Sequence, residues 1–293
     1  MPEKLPRISI VTPSYNQGAF LEATLQSVLN QNYPDLEYIV MDGGSADGSL
    51  EILQRYDRQL TAWVSEPDGG QYAAIHKGFS KTTGDIMAWL NSDDQYLPWT
   101  LQVVAEIFTQ FPQVEWLTTL HHLVMDKRGV PVYAQELPGF ARRPFFRGEN
   151  LAVPNQWYAT GFIMQEATFW RRSLWDRAGA YLDPSLSLAG DFELWARFYQ
   201  QAELYGVSTP LAQFRSHEQQ KSKQKFQQYI DEAKQVLSRY DRQPYTSLES
   251  FLHRHLRPYV PFRMAVYLGL IHLRHFCIYR TNLEGWQIEI RWV

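Results

Sequence analysis

The chain has 293 residues, 45% of them hydrophobic and 20% charged, with a net charge of −3. This composition predicts a packed core rather than disorder, suits one large domain or a domain with an appendage, and gives no electrostatic basis for a nucleic-acid partner. The single cysteine, Cys277, excludes an intrachain disulfide and any cysteine-based metal cluster, in keeping with a reducing cytoplasm.

The first residues, Met1 to Arg7, have no long apolar run behind their charges, so no signal peptide is expected. No stretch of about 20 apolar residues is present, so no spanning helix is expected. Aromatic content is 15%, with ten Trp. Such rings suit stacking on sugars, but core packing is expected for most of them.

In chain order, Ile8–Thr12 is a β-rich run broken by Pro13-Ser-Tyr-Asn16. Leu21, Leu25, Val28 and Leu29 recur at helical spacing, predicting a helix from about Gly18 to Asn30. After the turn Asn32–Asp35, Leu36–Met41 reads as a second strand. It ends in Asp42-Gly-Gly-Ser-Ala-Asp-Gly-Ser49, a tight turn opening a helix through Tyr56. Thr61–Ser65 is a third strand, and Glu66-Pro-Asp-Gly-Gly70 leads into a helix with Tyr72, Ile75 and Phe79 on one face. Asp85–Leu90 reads as a strand in which Ile86–Leu90 is a continuous apolar run, as in a strand buried on both faces, and Asn91-Ser-Asp-Asp94 ends it in turn-forming residues. This β-α-β-α-β-α-β alternation predicts a parallel sheet between helices. Ligands bind outside the carboxyl ends of such strands.

Those ends carry the carboxylates Asp42, Asp68, Asp93 and Asp94, together with backbone amides and Tyr15. No Lys or Arg lies between Arg7 and Arg55, so the first two loops cannot clamp phosphates by side-chain charge. Neither GxxxxGK[ST] nor GxGxxG occurs, which argues against a P-loop ATPase or a dinucleotide fold. The adjacent carboxylates Asp93 and Asp94 suit Mg²⁺ or Mn²⁺, which can also hold a diphosphate; an acidic turn capping the next helix is the alternative. Asp42 is either an acceptor for a uracil-type imide or ribose hydroxyls, or a turn residue.

Thr12-Pro-Ser-Tyr-Asn16, Asp42-Gly-Gly-Ser-Ala-Asp-Gly48, Ser65-Glu-Pro-Asp-Gly69 and Leu90-Asn-Ser-Asp-Asp94 resemble, in order, the motifs of family 2 glycosyltransferases. The resemblance implies a GT-A fold and a nucleotide-sugar donor. It implies that Thr12, Pro13, Tyr15, Asp42, Asp68 and Asp93 bind that donor, Asp42 at the base and Asp93 at the ribose and metal. Asp94 is implied as the metal ligand of the DxD-type motif. The residue two before it is Ser92 rather than Asp, a departure that leaves the metal on one protein carboxylate plus the diphosphate.

Farther on, Trp99–Phe111 reads as a helix, Val114–Thr119 as a strand, and Val124–Val132 as a hairpin turned at Lys127–Gly129. His121 and His122 are adjacent in a strand and so point to opposite faces, which argues against a shared metal site. Arg142, Arg143 and Arg147, among Pro144, Phe145 and Phe146, form a basic aromatic loop, either meeting an anionic ligand or simply solvated. Thr168–Arg172 reads as a strand entering the helix Leu174–Ala178.

Leu188-Ala-Gly-Asp-Phe-Glu-Leu-Trp195 places Asp191 at a helix start, where its charge is stabilised. A general base at an acceptor hydroxyl is the functional reading. The segment resembles the family's acceptor motif, with Gly190 where the first acid often sits, and so implies that Asp191 is the base. Glu193 is the rival, facing about 200° away around the helix. Arg215-Ser-His217 resembles the family's closing segment. It implies that His217 lies near the metal or diphosphate, with Arg215 or Lys221 neutralising the leaving group.

Gln224–Tyr240 reads as an amphipathic helix. Phe251–Tyr279 interleaves Arg254, Arg257, Arg263 and Arg274 with apolar residues; such a helix lies on an anionic membrane, covers the catalytic domain or forms a dimer contact. The expectation is thus a mostly parallel α/β catalytic domain over 4–222 and a helical appendage over 223–293. The expected activity is metal-dependent transfer of a hexosyl group, with inversion, to a saccharide or lipid-linked acceptor in cell-surface polysaccharide or glycolipid synthesis. The expected location is the cytoplasm, peripheral to the inner face of the membrane. A nucleotidyltransferase or a non-catalytic carbohydrate-binding protein is the alternative.

Overall fold

The computed structural model describes residues 5–151, 161–240, 274–281 and 285–292. Its first half follows the predicted alternation: β1 (Ile8–Ser14), α1 (Gly18–Leu29), β2 (Leu36–Asp42), α2 (Ser49–Tyr56), β3 (Ala62–Ser65), α3 (Gln71–Phe79) and β4 (Ile86–Trp89). β1 pairs in parallel with both β2 and β4, and β2 in parallel with β3. β1 runs two residues beyond the expected end and includes Pro13. Val11 and Pro13 turn their backbone toward β4, but the β4 ladder ends at Val11. The missing N–H of Pro13 therefore falls where the strand has no neighbour.

The second half inserts antiparallel elements. After the short β5 (Gln95–Tyr96) come α4 (Thr100–Gln110), β6 (Trp116–Thr119) and the hairpin of β7 (His121–Met125) and β8 (Pro131–Glu136). Then follow α5 (Arg142–Arg147), a 3₁₀ turn at Gln165–Ala167, β9 (Phe169–Arg171), α6 (Arg172–Arg177), α7 (Gly190–Phe198), β10 (Leu204–Val207) and β11 (Ala212–Arg215). β9 lies antiparallel between β4 and β6, so the large sheet is mixed. A second, four-stranded sheet in the order β5-β11-β7-β8 closes over the carboxyl end of β4. The basic aromatic segment is α5 rather than a loop: Phe145 is buried and stacks on Phe192 at 4.4 Å between centroids. Most Trp rings are core, as expected. Trp195 stacks between Trp89 and Trp116 at 5.9 and 5.5 Å.

The expected boundary at residue 222 does not divide the core. After α8 (Lys221–Gln224), the helix α9 (Phe226–Ser238) buries Ile230, Ala233, Val236 and Leu237 in the same hydrophobic cluster. The tail is not wholly helical either. β12 (Arg274–Thr281) and β13 (Gly285–Trp292) extend the large sheet to nine strands, in the order β13-β12-β10-β6-β9-β4-β1-β2-β3. β12 gives β10 its second neighbour, and Cys277 and Ile278 are fully buried there. Trp286 Nε1 donates to Glu106 at 2.8 Å, fastening the hairpin to α4. Residues 251–273 of the expected membrane-facing helix, with Arg254, Arg257 and Arg263, lie outside the described residues. Among the described residues no helix is long and apolar enough to cross a membrane.

Candidate functional site

The loops after β1, β2 and β3 meet at one end of the sheet. The Asn16 amide donates to Ser45 Oγ at 2.7 Å, and the Ala46 amide to Asn16 Oδ1 at 3.0 Å. Asp42 is 2% exposed and is used up by its own surroundings. Its carboxylate accepts from the amides of Gly44 and Ser45 and the hydroxyls of Ser45 and Ser65, at 2.6–3.1 Å. It therefore holds the turn and is not among the residues that line the cavity, where the expected contact with the base would be made. Thr12 is not among them either. It is fully buried and its hydroxyl pairs with Tyr38 Oη at 3.0 Å. Pro13, Tyr15 and Asp68 do line the cavity. Tyr15 is 62% exposed, and a Cβ on Gly43 would stand 3.1 Å from its ring and 3.0 Å from the Asp68 carboxylate. Gly43 thus lets an exposed aromatic ring and a carboxylate converge across one backbone segment.

The turn after β4 separates its two carboxylates. Thr24 Oγ1, from α1, donates to the Ser92 and Asp94 carbonyls at 2.9 and 2.8 Å and sets the turn. Asp94 is fully buried, accepting from the Arg215 amide at 2.9 Å and from Asn91 Nδ2 at 3.3 Å. Burial, then the charges of Asp93 and Glu166, push its pKa well above the usual carboxylate range. Asp93 remains partly open and pairs with His217 Nε2 at 3.0 Å. The His217 ring packs on Phe20 at 4.8 Å. Both Asp93 and Asp94 line the cavity, and of the two Asp93 is the one beside His217, the other residue the resemblance implies at the metal. A carboxylate oxygen beside an imidazole nitrogen fits Mn²⁺ or Mg²⁺ as a two-donor start. Among the described residues no cluster of three His, Cys, Asp or Glu side chains could hold a metal alone, so a cation there draws further oxygens from its ligand. Arg215 is spoken for: its guanidinium donates to the carbonyls of Asp93 and Lys127 at 2.7 and 3.1 Å and lies over the Phe20 ring. Lys221 is exposed and lines the cavity. His122 lines it too, from β7, with its pKa lowered by burial.

Opposite these groups stands α7. Asp191 accepts from the Phe192 amide at 2.8 Å. Burial raises its pKa to about 6, with a further contribution from Glu232. Tyr72 fixes the helix start, donating to the Leu188 carbonyl at 2.7 Å. Glu193 points away, as expected from the helix register, and is buried against Arg197 at 2.9 and 3.0 Å. Sequence reasoning missed Glu166, which lines the cavity. The pair Gln165-Glu166 stands before β9, but no spacing ties it to the other acids.

Pro13, Tyr15, Asp68, Asp93, Asp94, Glu166, Asp191, His217 and Lys221 line one cavity of about 1010 Å³, large enough for a nucleotide-sized ligand and more. It runs from Tyr15 and Asp68, past Asp93, His217 and Glu166, to Asp191 and the rings of Phe162, Phe226 and Tyr229.

The family model described as glycosyl transferase family 2 matches residues 9–170. An uncharacterised glycosyltransferase of Mycobacterium tuberculosis is 30% identical over 211 residues, 71% of this chain and 75% of that protein. A putative teichuronic acid biosynthesis glycosyltransferase of Bacillus subtilis, TuaG, is 37% identical over 94 residues, 31% of this chain and 37% of TuaG. Among solved structures, Staphylococcus aureus TarS 1–349 in complex with UDP-GlcNAc superposes with a TM-score of 0.59 at 17% identity, covering 85% of this chain and 72% of that one. The chain spans 44% of the longer TarS chain. The mannosyltransferase PcManGT of Pyrobaculum calidifontis, in complex with GDP-Man and Mn²⁺, gives 0.58 at 17% identity, covering 92% of this chain and 80% of that one. At such identity these structures share the fold, the GT-A arrangement.

Proposed function

We propose, from the premise that this chain belongs to glycosyltransferase family 2, that it transfers a glycosyl group from a UDP- or GDP-linked sugar to an acceptor hydroxyl with inversion. The observation that carries the reading is the placing of Asp93 and Asp191 in one cavity, at the carboxyl end of β4 and the start of α7. Tyr15 offers a ring for a nucleobase, and Asp68 accepts its imide or the ribose hydroxyls. Asp93 and His217 would hold Mn²⁺ or Mg²⁺, and such an ion, when bound, stabilises charge on a departing diphosphate. Lys221 adds positive charge at the mouth. Asp191 takes the acceptor proton as the hydroxyl oxygen bonds to the anomeric carbon; the bond from that carbon to the diphosphate oxygen breaks, and the configuration inverts. A pKa of about 6 leaves Asp191 mostly ionised at neutral pH yet basic enough for the task.

The acceptor we favour is a saccharide, free or lipid-linked, of a surface polysaccharide or glycolipid. The name of TuaG and the donors in the TarS and PcManGT structures support that class. A thermal-shift screen with UDP-, GDP-, CDP- and dTDP-sugars, with and without Mn²⁺, tests the reading. Stabilisation by one nucleotide-sugar, stronger with Mn²⁺, is expected. No shift with any of them would overturn it.

A further inference from the structure

One carboxyl in the cavity is left without a task. Asp94 is bound by Arg215 and Asn91, Asp93 faces His217, and Asp191 stands at the helix start. Glu166 is 5% exposed yet lines the cavity, and among the described residues no other side chain donates a hydrogen bond to it. Its backbone is held firmly. Gln165 Nε2 donates to the Trp89 carbonyl at 2.8 Å, Gln165 Oε1 accepts from Asn91 at 3.0 Å, and Thr168 Oγ1 donates to the Met164 carbonyl at 2.6 Å. Burial raises its pKa to about 7, with further contributions from the charges of Asp191 and Asp93. Glu166 lines the same cavity as both of those groups.

Burying an acid whose carboxyl has only its own backbone amide as a donor costs free energy, and the 3₁₀ turn that carries this one stands at the cavity wall. Gly190 cannot supply an acid beside Asp191, because a Cβ there would meet the Tyr72 ring at 2.7 Å. In a direct displacement the transferred sugar lies between the diphosphate, near Asp93, and the acceptor hydroxyl, near Asp191. The geometry points to Glu166 as the residue that binds hydroxyls of the transferred sugar and so selects the donor's glycosyl group. This inference rests on the nucleotide-sugar reading above. Sugar hydroxyls donate to its carboxylate, and a donor lacking them leaves a buried acid unpaired.

Calorimetry of the full chain with Mn²⁺ tests this, comparing UDP with UDP-GlcNAc and GDP with GDP-mannose. Glu166→Gln and Glu166→Ala should bind the nucleoside diphosphate as wild type does. They should bind the matching nucleotide-sugar about tenfold to a hundredfold more weakly, the worth of a hydrogen bond to a charged group. Both variants should melt at or above the wild-type temperature, since no other side chain donates a hydrogen bond to the acid; a large drop in the isosteric Gln variant would make Glu166 a fold residue. Equal losses for diphosphate and nucleotide-sugar, or no loss for the sugar form, would overturn the inference. A wild-type protein that binds neither diphosphate would instead overturn the parent reading, and this one with it.

Discussion

At the scale of single residues, the proposed chemistry rests on Asp191 and Asp93. General-base assistance is worth about 10²–10⁴ in rate, so Asp191→Asn should lower kcat by that factor and leave donor affinity unchanged in steady-state and calorimetric assays. Glu193→Gln should leave donor affinity unchanged too. The wild-type rate should fall about tenfold per pH unit below about pH 6, where Asp191 takes up its proton; a profile flat down to pH 5 would remove Asp191 as the base. The same raised pKa has a stability consequence. A carboxyl whose folded pKa lies above its unfolded value destabilises the fold above that pKa and is relieved below it. Asp191→Asn should therefore stabilise the protein at pH 8 by about 1–2 kcal/mol and give nothing at pH 3.5. Denaturant titrations at the two pH values check this. For the metal, Asp93→Asn should abolish Mn²⁺-dependent nucleotide binding, whereas Asp94→Asn should keep it. The reverse pattern would restore the expectation drawn from the motif. The motif alone does not separate the two, because both are aspartates in one turn. The burial of Asp94 is set by Thr24 and Arg215, 70 and 121 residues from it in the chain.

At the scale of elements, the start of α7 depends on α9. Glu232 accepts from the amides of Ser187, Leu188 and Ala189 at 3.1, 2.8 and 3.0 Å. Partial burial alone would raise its pKa, but these donors outweigh it and pull the carboxylate below its ordinary value. Its contribution is thus present at neutral pH and lost as pH falls into the acid range. Glu232→Ala should cost about 1–3 kcal/mol at pH 7 by chemical denaturation, and it should lower kcat by displacing Asp191. A variant as stable as wild type would show that α9 does not hold the loop. The elements β1 to β4 were legible in the sequence because each is a short apolar run closed by polar turn residues. β12 was not. Arg274 to Thr281 alternates too weakly to separate strand from helix, and its strand character depends on pairing with β10, some 70 residues earlier.

Across the whole molecule, the loops after β1 and β3, the β4 turn, the second sheet and α7 are folded round one cavity. The place of that cavity and the presence of Asp68, Asp93 and Asp191 in its lining follow from strand ends and motif order. Glu166 and the structural duties of Thr12, Asp42 and Arg215 do not, because they arise from contacts between segments distant in the chain. The most direct test is proton NMR of the purified protein with the donor selected by the stability screen, Mn²⁺ and a saccharide acceptor. Release of the nucleoside diphosphate, with a product of inverted anomeric configuration, is the expected result. A product of retained configuration, or a donor left intact beside an active acceptor panel, would contradict direct displacement at Asp191.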